Sequence, residues 1–311
     1  MPSKTLILDP LTLKGREFLS CSDRLKHIVG EWDFRHTDVD EEHQIAELTD
    51  GSALVPPLDG PDDLLGADVI VVASDGWSSR HDHLLAHLDD HPETALLDLN
   101  GLEGLRDRTT PSVGDVGPDS RLLRVAHPAI FATSRVVEVL TYLTALRGTL
   151  AVVDPASAYG REGIEILARQ AAQRVQGAQA DDRIHGHVLA FNAVAVPSDE
   201  LQEDASLLLP DLPLAVTRTL SGQFHGHLAH LGMSFERRLE MDEVKDALTQ
   251  AEALEIEPLP VSLDSVTNRD QVVVTPPRLS ADGTQMALTM MADGHRVGGA
   301  LTAIDILESL L

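Results

Sequence analysis

Over roughly the first 125 residues, short continuous apolar runs alternate with apolar-periodic segments. Lys4 to Leu8, Asp68 to Ala73, Thr94 to Leu99 and Leu122 to Ala126 are strand-length runs. The near-continuous β-branched content of Asp68 to Ala73 suits a parallel sheet covered on both faces. Gly15 to Leu25 and Ser79 to Leu88 read as helices between the runs, the second ending at Asp89-Asp90-His91-Pro92. Strands that alternate with helices predict an α/β sheet. Pro56 to Pro61 holds three prolines and reads as a loop.

Beyond residue 125 the pattern changes. Ser134 to Leu146, Glu162 to Val175, Met241 to Leu254 and Gly299 to Leu311 read as helices. Thr149 to Val153, Val188 to Val196, Leu214 to Leu220, His227 to Glu236, Gln271 to Val274 and Gln285 to Ala292 read as strands. Longer, half-polar strands broken by helices predict an α+β domain on a mixed or antiparallel sheet.

Composition narrows the function classes. The 311 residues carry 50 acidic and 24 basic side chains, a net charge of −26, which repels nucleic-acid backbones and anionic membranes. No nucleic-acid partner and no membrane partner are expected. Only four of the basic residues are lysine (Lys4, Lys14, Lys26 and Lys245), a bias that fits a salt-tolerant or GC-rich host. No apolar run reaches membrane-spanning length and no signal segment opens the chain, so a cytoplasmic protein is expected. The lone Cys21 excludes an internal disulfide and any multi-cysteine metal site.

Histidine is the one enriched chemical group, with 14 in the chain. His83, His87 and His91 follow i, i+4, i+8 spacing, with His81 nearby, a pattern that can present two imidazoles to a metal. His185-Gly186-His187 and His225-Gly226-His227, with His230, form a second set at two expected strand starts. Alternation puts each pair on one strand face, so His185, His187, His225, His227 and His230 are the candidate metal ligands if the strands adjoin. No carboxylate spacing of the H-E-x-x-H kind accompanies them, and histidine as a polar surface residue in a lysine-poor chain is the competing expectation. The acidic runs at Asp38 to Glu42 and at Asp62-Asp63 read as solvated faces.

Four segments carry a family likeness. They are Ser157-Ala158-Tyr159-Gly160-Arg161-Glu162-Gly163, Leu189-Ala190-Phe191-Asn192-Ala193-Val194, Gly226-His227 with Ser234-Phe235-Glu236, and Val297 to Glu308 (V-G-G-A-L-T-A-I-D-I-L-E). In this order and spacing the second half resembles the aspartate-semialdehyde dehydrogenases. Their S-G-A-G-R-x-G loop, I-A-F-N strand, G-H-S strand and closing helix match these segments in turn. The resemblance implies a Rossmann-like nucleotide-binding-type domain at 1–125 that takes back the helix at 296–311. It also implies a dimerisation domain at 126–295 and a homodimer.

The family's chemistry is not carried over. Ile130, in His127-Pro128-Ala129-Ile130, stands where the resemblance places the nucleophilic cysteine, and a hydrocarbon cannot attack a carbonyl. The loop Asp9-Pro10-Leu11-Thr12-Leu13-Lys14-Gly15 keeps one glycine of the family's G-x-x-G-x-x-G, so no nicotinamide cofactor is expected. Asp154 matches the family's glutamine. Leu220 matches its carboxylate-binding arginine, with Arg218 two residues away on the same strand face. His227 matches the acid/base histidine. The remnant pocket is thus expected around Ile130, Asp154, Ser157, Asn192, Arg218 and His227. Two readings follow: a non-catalytic homodimer with a structural or regulatory role toward a protein partner, or a pocket around His227, His187 and Asp154 remodelled for another ligand or a metal.

Overall fold

The computed structural model describes residues 3–48, 51–114, 116–117, 120–180 and 182–311. The chain divides into two compact units, Met1–Ala126 with Gly299–Leu311, and His127–Gly298.

The first unit holds β1 (Ser3–Leu8), α1 (Leu13–Cys21), β2 (Val29–Arg35), β3 (Gln44–Leu48), β4 (Gly51–Val55), β5 (Val69–Val72), α2 (His81–Asp90), β6 (Ala95–Asp98), α3 (Glu103–Arg106), β7 (Thr110–Ser112) and β8 (Leu122–Val125). Six strands form one parallel sheet in the order β2-β1-β5-β6-β8-β7, and β3 with β4 makes a separate antiparallel hairpin. Both faces of the sheet are covered, which explains the continuous apolar runs. Ile7, Val69, Val71 and Leu97 pack with Phe18 and Leu19 of α1. Leu6, Leu8, Ile70, Val72 and Leu96 pack with Leu84 and Leu88 of α2 on the other side.

The second unit holds α4 (Pro128–Leu140), β9 (Ala145–Asp154), α5 (Gly160–Val175), β10 (Ala193–Val196), α6 (Asp199–Leu208), β11 (Leu214–Ser221), β12 (His227–Phe235), α7 (Met241–Thr249), β13 (Leu254–Ile256), β14 (Val272–Val274), β15 (Arg278–Leu279) and β16 (Gln285–Ala292). Its sheet runs β10-β11-β9-β12-β16-β14-β13, with β15 on β16. The pairing is mixed: β11 is parallel to β9, and β12 is antiparallel to both β9 and β16. Alternate residues Leu150, Val152, Leu231, Met233, Leu288 and Met290 are buried, and α4 packs against β12 and β16 while α6 packs against β11. The opposite face carries Thr149, His230, Ser234 and Ala287, partly or fully exposed. The chain re-enters the first unit in α8 (Leu301–Leu310), whose Ile304 and Leu307 join the α1 side of that core. Among the described residues, no helix is long and apolar enough to cross a membrane.

The expectation of a Rossmann-like parallel sheet plus an α+β unit on a mixed or antiparallel sheet holds, the second sheet being mixed. Several element bounds do not. The helix expected at Ser134 to Leu146 starts six residues earlier, at Pro128, and Leu146 already belongs to β9. Pro128 through Ser134 are all buried, so that stretch lacks the apolar-polar period that marks a helix. Only Ala193–Val196 of the strand expected at Val188 to Val196 pairs with β11. Phe191 sits at φ 60°, which ends extended backbone there. The helix expected at Met241 to Leu254 stops at Thr249 and Leu254 opens β13. The last helix is preceded by a π-type turn over Arg296–Ala300. β2, β3, β4, α3, β7, α6 and β15 have no counterpart in the sequence expectations. β2 and β7 are edge strands with charged residues or proline, which no continuous apolar run reveals.

Candidate functional site

The candidate site of the second unit grows from three strand ends and one helix start. Asp154 closes β9 and is fully buried on the helix-covered face of the sheet. β11 runs parallel to β9 with Leu220 opposite Asp154, so Arg218 lies on the same face one pleat earlier. Its Nε donates to Asp154 Oδ2 at 2.7 Å. β12 runs antiparallel to β9 with Leu228 opposite Val153, which brings His227, the first residue of β12, beside Asp154. His227 Nε2 lies 3.8 Å from Asp154 Oδ1. A Cβ on Gly294 would fall on the His227 ring and 2.8 Å from Pro128 Cγ, so glycine is what admits the imidazole there.

The fourth member is His127. It precedes Pro128, which takes the first helical position where no N–H is needed. The His127 Nδ1 accepts the Ala129 N–H at 3.2 Å, capping the helix, and Nε2 lies 3.2 Å from Asp154 Oδ1. The two imidazoles meet edge to face with centroids 5.3 Å apart. Neither His127 Nε2 nor Asp154 Oδ1 completes a hydrogen bond of normal geometry, although both atoms are buried. The three ligand-capable atoms of His127, Asp154 and His227 lie within 4.8 Å of one another.

Burial pushes the Asp154 carboxyl upward, but His127, His227 and Arg218 outweigh it and hold the group well below the usual carboxylate range. Asp154 is therefore an anion among cationic and imidazole groups. Arg218, half enclosed, is raised by Asp154 against its own desolvation. Tyr159, in the turn after Asp154, is pushed up to about 12 by burial, with Arg218 opposing.

The other residues singled out by sequence are placed differently. Ile130 is fully buried in the first turn of α4, its N–H donating to the His127 carbonyl. Ser157 is buried, its N–H donating to the Phe224 carbonyl, and its hydroxyl finds no partner among the described residues. Asn192 is exposed. Its side chain serves its own loop, donating to the Val188 carbonyl and accepting the Ala193 N–H. It does not join the remnant pocket.

The structure also does not gather the five histidines proposed as a metal set. His185-Gly186-His187 is not a strand start but a tight turn closed by an Ile184–His187 bridge, with His185 at φ 47°. His185 packs against Tyr159. His225 precedes β12 and faces His295, their rings 6.4 Å apart. His230 lies three residues beyond His227, hence on the opposite strand face, where its Nδ1 meets Thr289 Oγ1 at 3.0 Å. His227 alone reaches Asp154, and the partner it finds is His127, not His187. Pro128 after His127 could have hinted at a helix start, but nothing local in the sequence ties His127 to Asp154. On α2, His87 stacks on His91 while His81 is held elsewhere, so that set does not converge either.

The first unit has a second polar centre, at the carboxyl ends of β1, β2 and β5. β1 lies between β2 and β5, so the chain switches direction across it, the place where open parallel sheets bind ligands. Asp9 follows β1 at φ 55°, a left-handed conformation that Asp tolerates better than most residues. Its carboxylate accepts the Thr37 N–H at 2.7 Å, the Thr37 hydroxyl at 2.6 Å and the Ser74 hydroxyl. Ser74 in turn receives the His81 Nε2–H at 2.9 Å, while His81 Nδ1 accepts the Ser78 N–H at 3.0 Å, which sets the tautomer. Thr12 caps α1 by accepting the Gly15 N–H at 3.1 Å and donates to the Ala73 carbonyl. Lys14 Nζ donates to the Leu99 carbonyl at 2.7 Å. Gly15 is needed because a Cβ there would lie 2.7 Å from the Pro10 carbonyl oxygen. Cys21 is buried in the core of this unit at the end of α1.

No protein-family model matches the chain. The USG-1 protein homolog of Azotobacter vinelandii is 28% identical over 174 residues, 50% of this chain and 52% of that protein, so the chain spans about half the length of the curated relative it matches. Among solved structures, aspartate semialdehyde dehydrogenase II of Vibrio cholerae, in complex with ASA, superimposes with a TM-score of 0.85 at 15% identity, covering 100% of this chain and 98% of that one. A probable aspartate-semialdehyde dehydrogenase from Pseudomonas aeruginosa gives 0.84 at 19% identity over 100% and 98%. The Francisella tularensis aspartate semialdehyde dehydrogenase gives 0.80 at 13% identity over 99% of each. The chain therefore has the two-domain fold of the aspartate-semialdehyde dehydrogenases.

Proposed function

We propose that this protein is a non-catalytic relative of the aspartate-semialdehyde dehydrogenases that works as a homodimeric structural or regulatory partner of another protein. The observation that carries the reading is Asp9. A dinucleotide on this fold needs free N–H and hydroxyl donors, and no anion, at the switch point of the parallel sheet. Here an internal carboxylate already takes the Thr37 and Ser74 donors. A cofactor phosphate would meet that negative charge at close range, where effective repulsion reaches several kcal/mol.

The site in the second unit supports the same reading. Ile130 offers no nucleophile, and Cys21 is packed into the core of the first unit. Arg218, the nearest match to a substrate-carboxylate clamp, is held by Asp154. The open sheet face carries a shallow groove of about 520 Å³ lined by Arg147, Thr149, Gly232, Ser234, Arg278 and Gln285, a surface suited to a second copy of the chain. The cytoplasm is the proposed compartment, where the single thiol stays reduced. The direct test is turnover. Tag-free protein is given aspartate semialdehyde, phosphate and NADP⁺, or the acyl phosphate and NADPH. No change in nicotinamide absorbance above buffer is expected, and a rate that scales with protein concentration would overturn the proposal.

A further inference from the structure

The residues around Asp154 point to a ligand that is not a nicotinamide. Asp154 is fully buried, and its Oδ1 makes no hydrogen bond of normal geometry. Two imidazole nitrogens stand beside that oxygen, at 3.2 Å for His127 and 3.8 Å for His227, yet neither His127 Nε2 nor Asp154 Oδ1 completes a hydrogen bond of normal geometry. Three ligand-capable atoms of two imidazoles and a carboxylate thus converge within 4.8 Å, close enough to share one ion.

We propose that His127, Asp154 Oδ1 and His227 form a binding site for one borderline divalent cation of the Zn²⁺ or Co²⁺ kind. In a tetrahedral site with bonds of about 2.0–2.1 Å, ligand atoms lie about 3.3 Å apart. The three here are mutually within 4.8 Å, so small ring rotations close the set. Two histidines and one carboxylate are a common donor set for Zn²⁺ and related ions, with a further position left for water or an exogenous oxygen. Outer-shell support is present. Arg218 Nε holds Asp154 Oδ2 at 2.7 Å and so fixes which oxygen faces the ion. The His127 side chain keeps 16% of its surface exposed, so the set lies near the surface of the second unit although its ligand atoms are covered.

The protons balance simply. With the Ala129 N–H on Nδ1, neutral His127 carries its proton on Nε2. The ion replaces that proton, which moves to Nδ1 at the loss of the long 3.2 Å cap bond. The inference stands on these side chains and does not depend on whether the dehydrogenase reaction is lost. A turnover assay and a metal titration can fail separately.

The experiment uses full-length, tag-free protein stripped with a chelator and titrated with Co²⁺, then with competing Zn²⁺. One ion per chain and the visible absorption of low-symmetry cobalt are expected. His127→Gln and His227→Gln, each checked for fold by circular dichroism, should weaken binding by more than about 100-fold, beyond the 10–100-fold typical of outer-shell changes. The triple change His185→Gln, His225→Gln and His230→Gln should leave it intact. A measurement on the unaltered chain guards against misfolded variants: X-ray absorption of the Zn²⁺-loaded protein should show two imidazoles bound to the ion at about 2.0–2.1 Å. Absence of a stoichiometric ion, equal binding by the folded variants, or a zinc ion without two bound imidazoles would each overturn the site.

Discussion

Replacing Asp9 isolates what its carboxylate does. It accepts from Thr37 twice and from Ser74 once, and both donors are nearly buried, at 5% and 2% exposure. Hydrogen bonds to a charged group contribute about 1.5–3 kcal/mol each, and an orphaned buried donor costs about 1–3 kcal/mol. Ser74 can turn its hydroxyl elsewhere and water can reach the gap, so Asp9→Gly is expected to destabilise the first unit by about 3–5 kcal/mol. Asp9→Ala should cost about 1–2 kcal/mol more, because φ at this position is 55° and alanine is strained there. Asp9→Asn keeps one acceptor oxygen and tolerates the backbone, so its cost should be about half that of glycine. The assay is selective by nature. The chain has two tryptophans, Trp32 and Trp77, both in the first unit, so their fluorescence in a urea titration follows that unit alone. The glycine variant also frees the donors, so sulfate or phosphate should raise its midpoint more than it raises that of the parent. An Asp9→Gly variant within about 0.5 kcal/mol of the parent, the range of ordinary surface changes, would show that the Asp9 hydrogen bonds do not hold the first unit together.

Three further outcomes are expected. Asp154→Ala leaves Arg218 half buried without its counter-charge, so the second unit should lose about 3–5 kcal/mol by far-ultraviolet circular dichroism in chelator, and adding Arg218→Met should recover much of it. A double variant no more stable than Asp154→Ala would contradict this. His81 and His87 are pushed below the ordinary histidine range, chiefly by burial. Below about pH 6.5 the unfolded chain binds protons these folded histidines refuse, so tryptophan-monitored stability should fall with pH from there downward. Substituting both by glutamine should flatten that slope, and an unchanged slope would contradict the assignment. Ala287→Arg on the open face of the second sheet should convert a dimer mass to a monomer mass in light scattering, and a mass unchanged between the two proteins would remove that face as the interface.

What the sequence reveals follows from burial. Val69–Val72 and Ala95–Asp98 lie in the middle of a sheet covered on both sides, so a continuous apolar run, broken only at the terminal Asp98, announces them. Edge strand β2, with Glu31, Asp33 and Arg35 among its seven residues, satisfies only one side and leaves no such mark. Helix α4 begins within a stretch buried on all sides, so periodicity appears only from its second half. The site divides along similar lines. His227, Asp154 and Arg218 are legible because they stand on motif-bearing strands. His127 is not, because it reaches Asp154 through the pairing of a helix start with distant strand ends, which no local spacing encodes. Asn192 failed for the converse reason: it sits in a matching motif, but the loop it occupies turns outward at Phe191.

If Asp9 stands where a nucleotide phosphate would bind, equilibrium titration of the unaltered protein with NADPH reads the consequence. Cofactor fluorescence and isothermal calorimetry should show no saturable binding of NADPH or NADH, even at high cofactor excess. Stoichiometric, saturable uptake of either nucleotide at micromolar concentrations would mean that Asp9 does not close the nucleotide site.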